Sequence, residues 1–397
     1  MTLTLTIILA VALAVLFYTY AGYPLLLLLW SKLGTTEVPQ KNDFTPAVTI
    51  VVVVYNGAAL IQKKIETCLA QNYPADKLRV LVVSDGSDDA TCSMIESLNN
   101  PCIRLLALPN RRGKAACLND AVRHVQDEFI VFNDVRQELH QSAVRELIAN
   151  FADADVGAVS GELVFRQEQI TGFGQGIDAY WRYEKILRVT ESRVASSVGV
   201  TGAIYALRRT LFREIPDDTI LDDVLIPMNV VMQKKRVLFD RDAIAYDTPS
   251  RDAAQERVRK VRTLAGNFQL LFRRIDFLLP WRNPIALQFL SHKILRLMAP
   301  VALAAALFTN VALVYLQQRW WFVIMLALQL MAYAAALLGK YVPAANRLLP
   351  VKLASAFVSL NWFVVLGFIE FVFNRNAHLW KASTRNSDAS VTHSSPQ

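Results

Sequence analysis

Cysteine is scarce in this chain, four in 397 residues, at positions 68, 92, 102 and 117, with no CxxC pair among them. That spacing argues against a zinc ribbon or a disulfide framework and leaves free thiols in a reducing compartment as the expectation. Charge is thin as well: 19% of residues, against 53% hydrophobic, too apolar for an ordinary soluble chain. No Lys or Arg precedes the first apolar run, so the charged start of a cleavable signal peptide is missing. Internal repeats are lacking too. The Gly113-Lys114 pair has neither the earlier glycine nor the following Ser/Thr of a P-loop.

What is present is unevenly placed. Apolar residues crowd the two ends, while the middle, from about Val48 to Arg274, has globular composition and holds most of the acids. Leu3–Trp30 is long enough to span a bilayer, and Lys32 follows it, so residues 1–32 read as an anchor with its C-terminal side inside. Residues 33–46, with TTEVPQKNDFTP at their heart, read as a linker, and 47–275 as one α/β domain on the cytoplasmic side of a plasma (inner) membrane. In 276–380, Phe277–Met298 mixes Trp281, His292, Lys293 and Arg296 with leucines, as an interfacial helix would. Ala299–Leu316, Trp320–Leu338 and Leu353–Phe373 follow as candidate spans, and the Ser-rich 381–397 as a disordered tail. The net charge of +8 suits nucleic acid in size. Its clustering at Arg251–Arg274 and at Arg282, Lys293 and Arg296, beside the apolar third, instead predicts membrane lipids and no nucleic-acid partner.

Within the middle, short β-branched runs alternate with helical patterns. Val48–Val54 and Val80–Val83 are apolar on both faces, the pattern of strands inside a parallel sheet covered by helices. Ligands of such sheets bind beyond the strands' carboxyl ends. Three carboxylates, Asp85, Asp88 and Asp89, stand at one such end in DGSDD. Taken alone they also suit a solvated turn whose Asp88 or Asp89 caps a helix. An EF-hand fits poorly, because Ala90 takes the place of its glycine and a strand precedes the loop. Gly113-Lys114 opens a helix and could seat an anion or simply start the helix. Asp134 ends another strand. Asp222 and Asp223 precede an apolar helix, as caps or as reactive acids. Arg259 and Arg262 lie three apart on one helical face, suited to a diphosphate or to lipid headgroups.

The order of these pieces is more specific than any one of them. With VVVVYNG, CLAQNYP, VVSDGSDDAT, RRGKAACLND, FNDVRQ, VGAVSGEL, GVTGAIYALRR, ILDDVLIP and RKVRT, from about residue 48 to 263, the chain resembles the membrane-bound family 2 glycosyltransferases. That group contains the cellulose, hyaluronan and poly-N-acetylglucosamine synthases. The resemblance implies a Rossmann-like GT-A fold, mostly parallel in its sheet, that inverts the anomeric carbon of a nucleotide-sugar, UDP-activated by expectation. It implies that Asp85, with Tyr55 and Asn56, holds the nucleoside, with Lys114 also on the donor side. Asp134 would stand at the diphosphate and its Mg²⁺ or Mn²⁺, and Asp223 would be the catalytic base. Asp222, Arg259 and Arg262 would serve the diphosphate or the acceptor. A glycan or lipid-linked acceptor is implied too, and partner subunits of a polysaccharide export system are a further expectation.

Two positions depart from the pattern. Arg136 stands where a second metal-binding acid belongs, and Arg259 and Thr263 replace the Gln and Trp of Gln-x-x-Arg-Trp. Arg136 either takes over part of the metal's charge or turns away into a salt bridge, with Glu138 or another nearby acid as partner. It also favours the alternative, an inactive membrane scaffold or polysaccharide-binding subunit with the same fold.

Overall fold

The computed structural model describes residues 1–33, 41–166, 174–248, 253–374 and 376–379. The linker is thus described only from residue 41, and the serine-rich tail 381–397 lies outside the described residues.

The N-terminal stretch Thr2–Leu33 comprises α1 (Thr2–Phe17), a π turn over Tyr18–Gly22 and α2 (Tyr23–Leu33). The chain then enters the sheet at β1 (Val48–Val54), every residue of which is buried. Ile50, Val52 and Val54 pack on one side of the sheet, with Ile61, Ile65 and Cys68 of α3 (Ala58–Leu69). Val51 and Val53 pack on the other. A strand apolar at every position needs covering on both faces, and it has it.

Next come β2 (Leu78–Asp85), α4 (Thr91–Ser97), β3 (Ile103–Leu108), α5 (Lys114–His124), β4 (Phe129–Asn133) and the short β5 (Glu138–Leu139). They are followed by α6 (Ala143–Ala149), β6 (Val156–Phe165), α7 (Gly174–Val194), β7 (Ile204–Arg208), α8 (Asp222–Met232), β8 (Arg236–Asp247) and α9 (Ala253–Arg273). Among the described residues the eight strands form one sheet in the order β3-β2-β1-β4-β7-β6-β8-β5. Pairing is parallel from β3 to β4 and between β6 and β8, and antiparallel on both sides of β7 and at β5. The two strand pieces expected at Val156–Ser160 and Gly161–Phe165 are one strand, with register shifts against β8.

The C-terminal third contains α10 (Ala286–Phe289), a π turn over Leu290–Ile294, α11 (Leu295–Gln317), α12 (Trp320–Tyr341) and α13 (Leu349–Phe373). Among the described residues four helical stretches are long and apolar enough to cross a membrane: Thr2–Leu33, Ala286–Gln317, Trp320–Tyr341 and Leu349–Phe373. Here one expectation is corrected. Phe277–Met298 is not a separate helix; from Ala286 it runs on into the helical stretch to Gln317 that is long and apolar enough to cross a membrane, with His292 buried. His292 is buried against Glu184 and Glu191 of α7, where imidazole and carboxylates satisfy one another out of water.

The membrane helices are joined to the sheet domain through aromatic packing. Phe272 of α9 stacks on Phe371 of α13 at 5.5 Å between centroids, and Phe268 meets Phe368 edge-on at 5.2 Å. Gly367 lies against Leu264, where a Cβ would come within 2.6 Å of that side chain.

Candidate active site

β4 is the strand at which pairing changes direction, parallel to β1 on one side and antiparallel to β7 on the other. The loops after β1, β2 and β4 therefore open at one edge of the sheet, as expected for a ligand crevice in such folds.

The β1 and β2 loops are stitched together by their own side chains. Asn56, at φ +48°, donates its amide to Asp88 Oδ1 at 2.6 Å and accepts from the Asp88 backbone N–H at 3.0 Å. Asp89 accepts from the backbone of Ala58 and of Thr91, each at 3.0 Å, tying the starts of α3 and α4 together. Asp85 is fully buried and accepts from the backbone N–H of Arg112 at 2.7 Å and of Gly113 at 2.9 Å. It thereby fixes the Asn110–Gly113 loop across the strand end. Gly86, at φ +66°, lets that loop approach: a Cβ there would lie 2.7 Å from Arg111 N. Arg111 covers the Tyr55 ring at 4.0 Å. The three acids of DGSDD thus diverge, and they do not form the ligand shell of an EF-hand. Tyr55 and Asn56 are half-buried at the strand ends, and Asp85 lies fully buried beneath the Asn110–Gly113 loop that it fixes.

The acidic centre lies next to these strand ends. Lys114, the first residue of α5, places its ammonium 2.9 Å from Asp134 and 3.0 Å from Asp222. Burial alone would lower its pKa, but Asp134 and Asp222 outweigh burial and raise it, so Lys114 stays charged. Asp222 and Asp223 open α8, whose N-terminal amides favour negative charge. Asp223 accepts from Val200 N–H through its backbone oxygen at 2.9 Å and presents its carboxylate toward Gly202, where a Cβ would meet Oδ2 at 3.4 Å. Burial, then the Asp222 charge, push Asp223 up to about 6, against Lys114, Lys293 and Arg188, which pull it down. A carboxyl poised there is a base that can take a proton near neutral pH.

Metal-binding capacity can be judged from the donors present. Asp222 Oδ2 is buried with the Lys114 ammonium at 3.0 Å as its counter-charge, and the Tyr205 hydroxyl beside these acids is without a partner among the described residues. An oxygen-only set around a partly exposed Asp134 suits Mg²⁺ or Mn²⁺, which keep waters and bind through one or two carboxylates plus phosphate. Another acidic cluster, Glu146, Asp240 and Asp242, already surrounds the Lys41 ammonium at 2.7–3.1 Å, which fills a cation's place.

Arg136 turns away from this centre. It pairs with Asp247, whose side chain is fully buried. Glu138 is engaged instead by Lys63 and Arg166. Arg259 is exposed, and Arg262 donates Nε to the Ala377 carbonyl at 3.1 Å. Among the described residues neither arginine pairs with Asp134, Asp222 or Asp223. Arg262 instead abuts the segment that carries His378, which lies over Gly113. The sheet edge therefore brings together Lys114, Asp134, Asp222 and Asp223, with Tyr55 and Asn56 beside them and Asp85 buried under the Asn110–Gly113 loop. Tyr205 and Arg188 escaped the sequence reading, since a tyrosine inside a strand and one cation on a charged helix leave no local signature, and Lys293 was read only as part of the basic cluster facing membrane lipids.

Comparisons with known proteins agree with this layout. The glycosyl transferase family 2 model matches residues 49–215, which hold β1 to β7 and the Asp85, Lys114 and Asp134 positions. The mannosyltransferase PcManGT from Pyrobaculum calidifontis, solved with GDP-Man and Mn²⁺, superposes with a TM-score of 0.69 at 25% identity, covering 92% of this chain and 99% of that one. The domain is a GT-A fold, and its residues 49–215 are similar to glycosyltransferase family 2. Among curated relatives, poly-beta-1,6-N-acetyl-D-glucosamine synthase of Staphylococcus aureus (strain COL) is 22% identical over 250 residues, 61% of this chain and 60% of that protein. The succinoglycan biosynthesis protein ExoO of Rhizobium meliloti (strain 1021) is 34% identical over 116 residues, 29% of this chain and 32% of its own. The chain thus spans about 60% of the length of the first of these relatives.

Proposed function

We propose that the protein is a membrane glycosyltransferase that moves a sugar from a nucleoside-diphosphate donor to a hydroxyl of a glycan or lipid-linked acceptor in polysaccharide synthesis. The observation that carries this reading is the Lys114-bridged pair Asp134 and Asp222, with Asp223 beside it pushed up to about 6. The acceptor oxygen bonds to the anomeric carbon from the face opposite the leaving group, and its proton passes to Asp223. The bond from that carbon to the diphosphate oxygen breaks, its electron pair leaves with the nucleoside diphosphate, and the configuration inverts. Asp85, Tyr55 and Asn56 orient the nucleoside, and Lys114 offsets charge on the diphosphate. Asp134, the more exposed of the two acids bridged by Lys114, would hold a divalent cation with water and phosphate, which when bound supplies further neutralisation of the leaving charge.

The base of the donor is left to experiment. The similar mannosyltransferase was solved with GDP-Man, while the sequence resemblance favours UDP. Purified protein incubated with UDP- and GDP-sugars and Mn²⁺ should release one nucleoside diphosphate in an acceptor-dependent way. No release with any donor would favour the inactive scaffold instead.

We place the domain on the cytoplasmic side of the inner membrane, since Lys32 and the basic residues of α9 lie on that side of the spans. An impermeant thiol reagent should then spare the half-buried Cys92 and Cys102 in intact cells and reach them after permeabilisation. Cys68 and Cys117 are buried and report nothing about sidedness.

A further inference from the structure

α3 carries two neighbouring lysines that point apart. Ile61, Lys64, Ile65 and Cys68 follow at i, i+3, i+4 and i+7, the stripe by which α3 packs on the sheet. Lys63 lies outside that stripe and pairs with Glu138. Lys64 lies within it, 2% exposed and among the largest fully buried side chains. An apolar side chain would fill the stripe at lower cost, since a lysine is almost never buried whole unless its ammonium is engaged.

What engages it is the two ends of one turn. Lys64 Nζ donates to Asn133 Oδ1 and to the Gln137 carbonyl, both on buried residues. Asn133 closes β4, and Gln137 immediately precedes β5. The pairing of β4 with β1 ends at Phe132 and that with β7 at Asn133, so Asp134 stands beyond the last ladder pair. The ammonium thus closes the neck of the turn that displays Asp134, and it does so from inside the core. Asp134 is the only acid in residues 133–137, and Arg136 of the same turn is drawn off to Asp247. A cation held through one carboxylate of a turn has no second ligand there to correct a misplaced first. The turn itself must then be rigid.

We propose that Lys64 is a positioning residue for sugar transfer, fixing residues 133–137 so that the Asp134 carboxylate meets the cation and the diphosphate in one place. This rests on the glycosyltransferase reading and on Asp134 as the acid that holds the cation. Lys114 touches Asp134 and offsets its charge, whereas Lys64 acts through the two oxygens at the neck of the turn. Groups that orient a metal's ligands from behind typically govern about 10–100-fold in metal affinity.

The test is Mn²⁺ binding to the full chain in phosphatidylcholine nanodiscs, read by loss of the free-ion EPR signal with UDP or GDP present. Lys64→Met, close in length and apolar, should weaken Mn²⁺ binding about tenfold or more. The Mn²⁺ needed for half-maximal transfer should rise in step, while nucleotide binding in EDTA stays within about twofold of the parent. Ile65→Ala, a cavity in the same stripe, should lower the thermal midpoint and leave Mn²⁺ affinity where it was. Parental Mn²⁺ affinity in folded Lys64→Met overturns the proposal. So does an equal loss in Ile65→Ala, which would mark a general loosening of α3. Should Lys64→Met not fold, Asn133→Ala removes one acceptor and keeps the lysine. It should weaken Mn²⁺ binding in the same direction, and parental affinity there overturns the proposal as well. Asp134→Ala in the same titration separates the failures. A loss there but not in Lys64→Met sinks the proposal alone, and no loss in either sinks the cation site with it. Lys64-dependent Mn²⁺ binding without any sugar transfer would sink the glycosyltransferase reading and leave the cation site and its lysine standing.

Discussion

Arg136 ends in an ion pair with Asp247, a carboxylate whose side chain has no exposure at all. The arginine that stands in place of a metal-binding acid is therefore committed elsewhere, and Asp134 faces the opening with Lys114 as its counter-charge.

From this relationship follows a split between stability and metal use. Arg136→Ala leaves Asp247 buried with Gln137 and the Thr248 N–H as its remaining side-chain hydrogen-bond partners among the described residues. Removing one member of a buried pair costs about 3–5 kcal/mol, toward the low end here since Arg136 is itself 29% exposed. Thermal unfolding should register that loss, and adding Asp247→Asn should recover part of it. EDTA should abolish sugar transfer in the parent and in Arg136→Ala alike, and Asp134→Ala should raise the metal requirement sharply. Transfer that survives EDTA but is lost in Arg136→Ala would assign the metal's role to the arginine.

Asp223 should set the acidic limb of the pH profile. A base must be deprotonated, so kcat/KM should rise with pH up to about 6 and level off above it. That limb should vanish from the residual activity of Asp223→Asn.

The same carboxyl should weaken the fold. Its folded pKa is raised above the usual carboxylate value, so the folded state holds the proton more tightly than the unfolded chain. Ionisation then costs stability as pH rises from about 4 through 6. Asp223→Asn should raise the thermal midpoint at pH 7.5, and the gain should shrink toward pH 4. A lowered midpoint at pH 7.5 would mean that Lys114, Lys293 and Arg188 outweigh burial.

Gly86 gives a test of the donor side. Its φ is +66°, and a Cβ on it would stand only 2.7 Å from Arg111 N, so an alanine has no room. Gly86→Ala should push the Asn110–Gly113 loop off Asp85 and weaken nucleotide binding about tenfold or more, with the circular dichroism of the sheet kept.

Much of this was legible in the sequence, because strand patterns announce themselves locally. VTIVVVV and the run into Asp85 could hardly be anything but doubly covered strands, and DG, GK and DD mark where the loops turn. What stayed hidden depends on partners far apart in the chain. The Arg136 partner is 111 residues away. Phe277–Met298 reads as interfacial because its charges are counted as solvent-facing, whereas Glu184 and Glu191 of a distant helix take up His292 and Arg296. Arg259 and Arg262 sit on one helix face as their spacing indicates, but spacing says nothing about which neighbour that face meets. In the fold Arg262 meets Ala377.

The most direct measurement is sugar transfer by the parent and by Asp223→Asn, side by side, with nucleotide affinity measured on the same preparations. The account predicts turnover lower by about 10²-fold or more in Asp223→Asn, nucleotide affinity within about twofold of the parent, and a smaller loss in Asp222→Asn. Near-parental turnover in Asp223→Asn, with the protein folded and the donor bound, would contradict it.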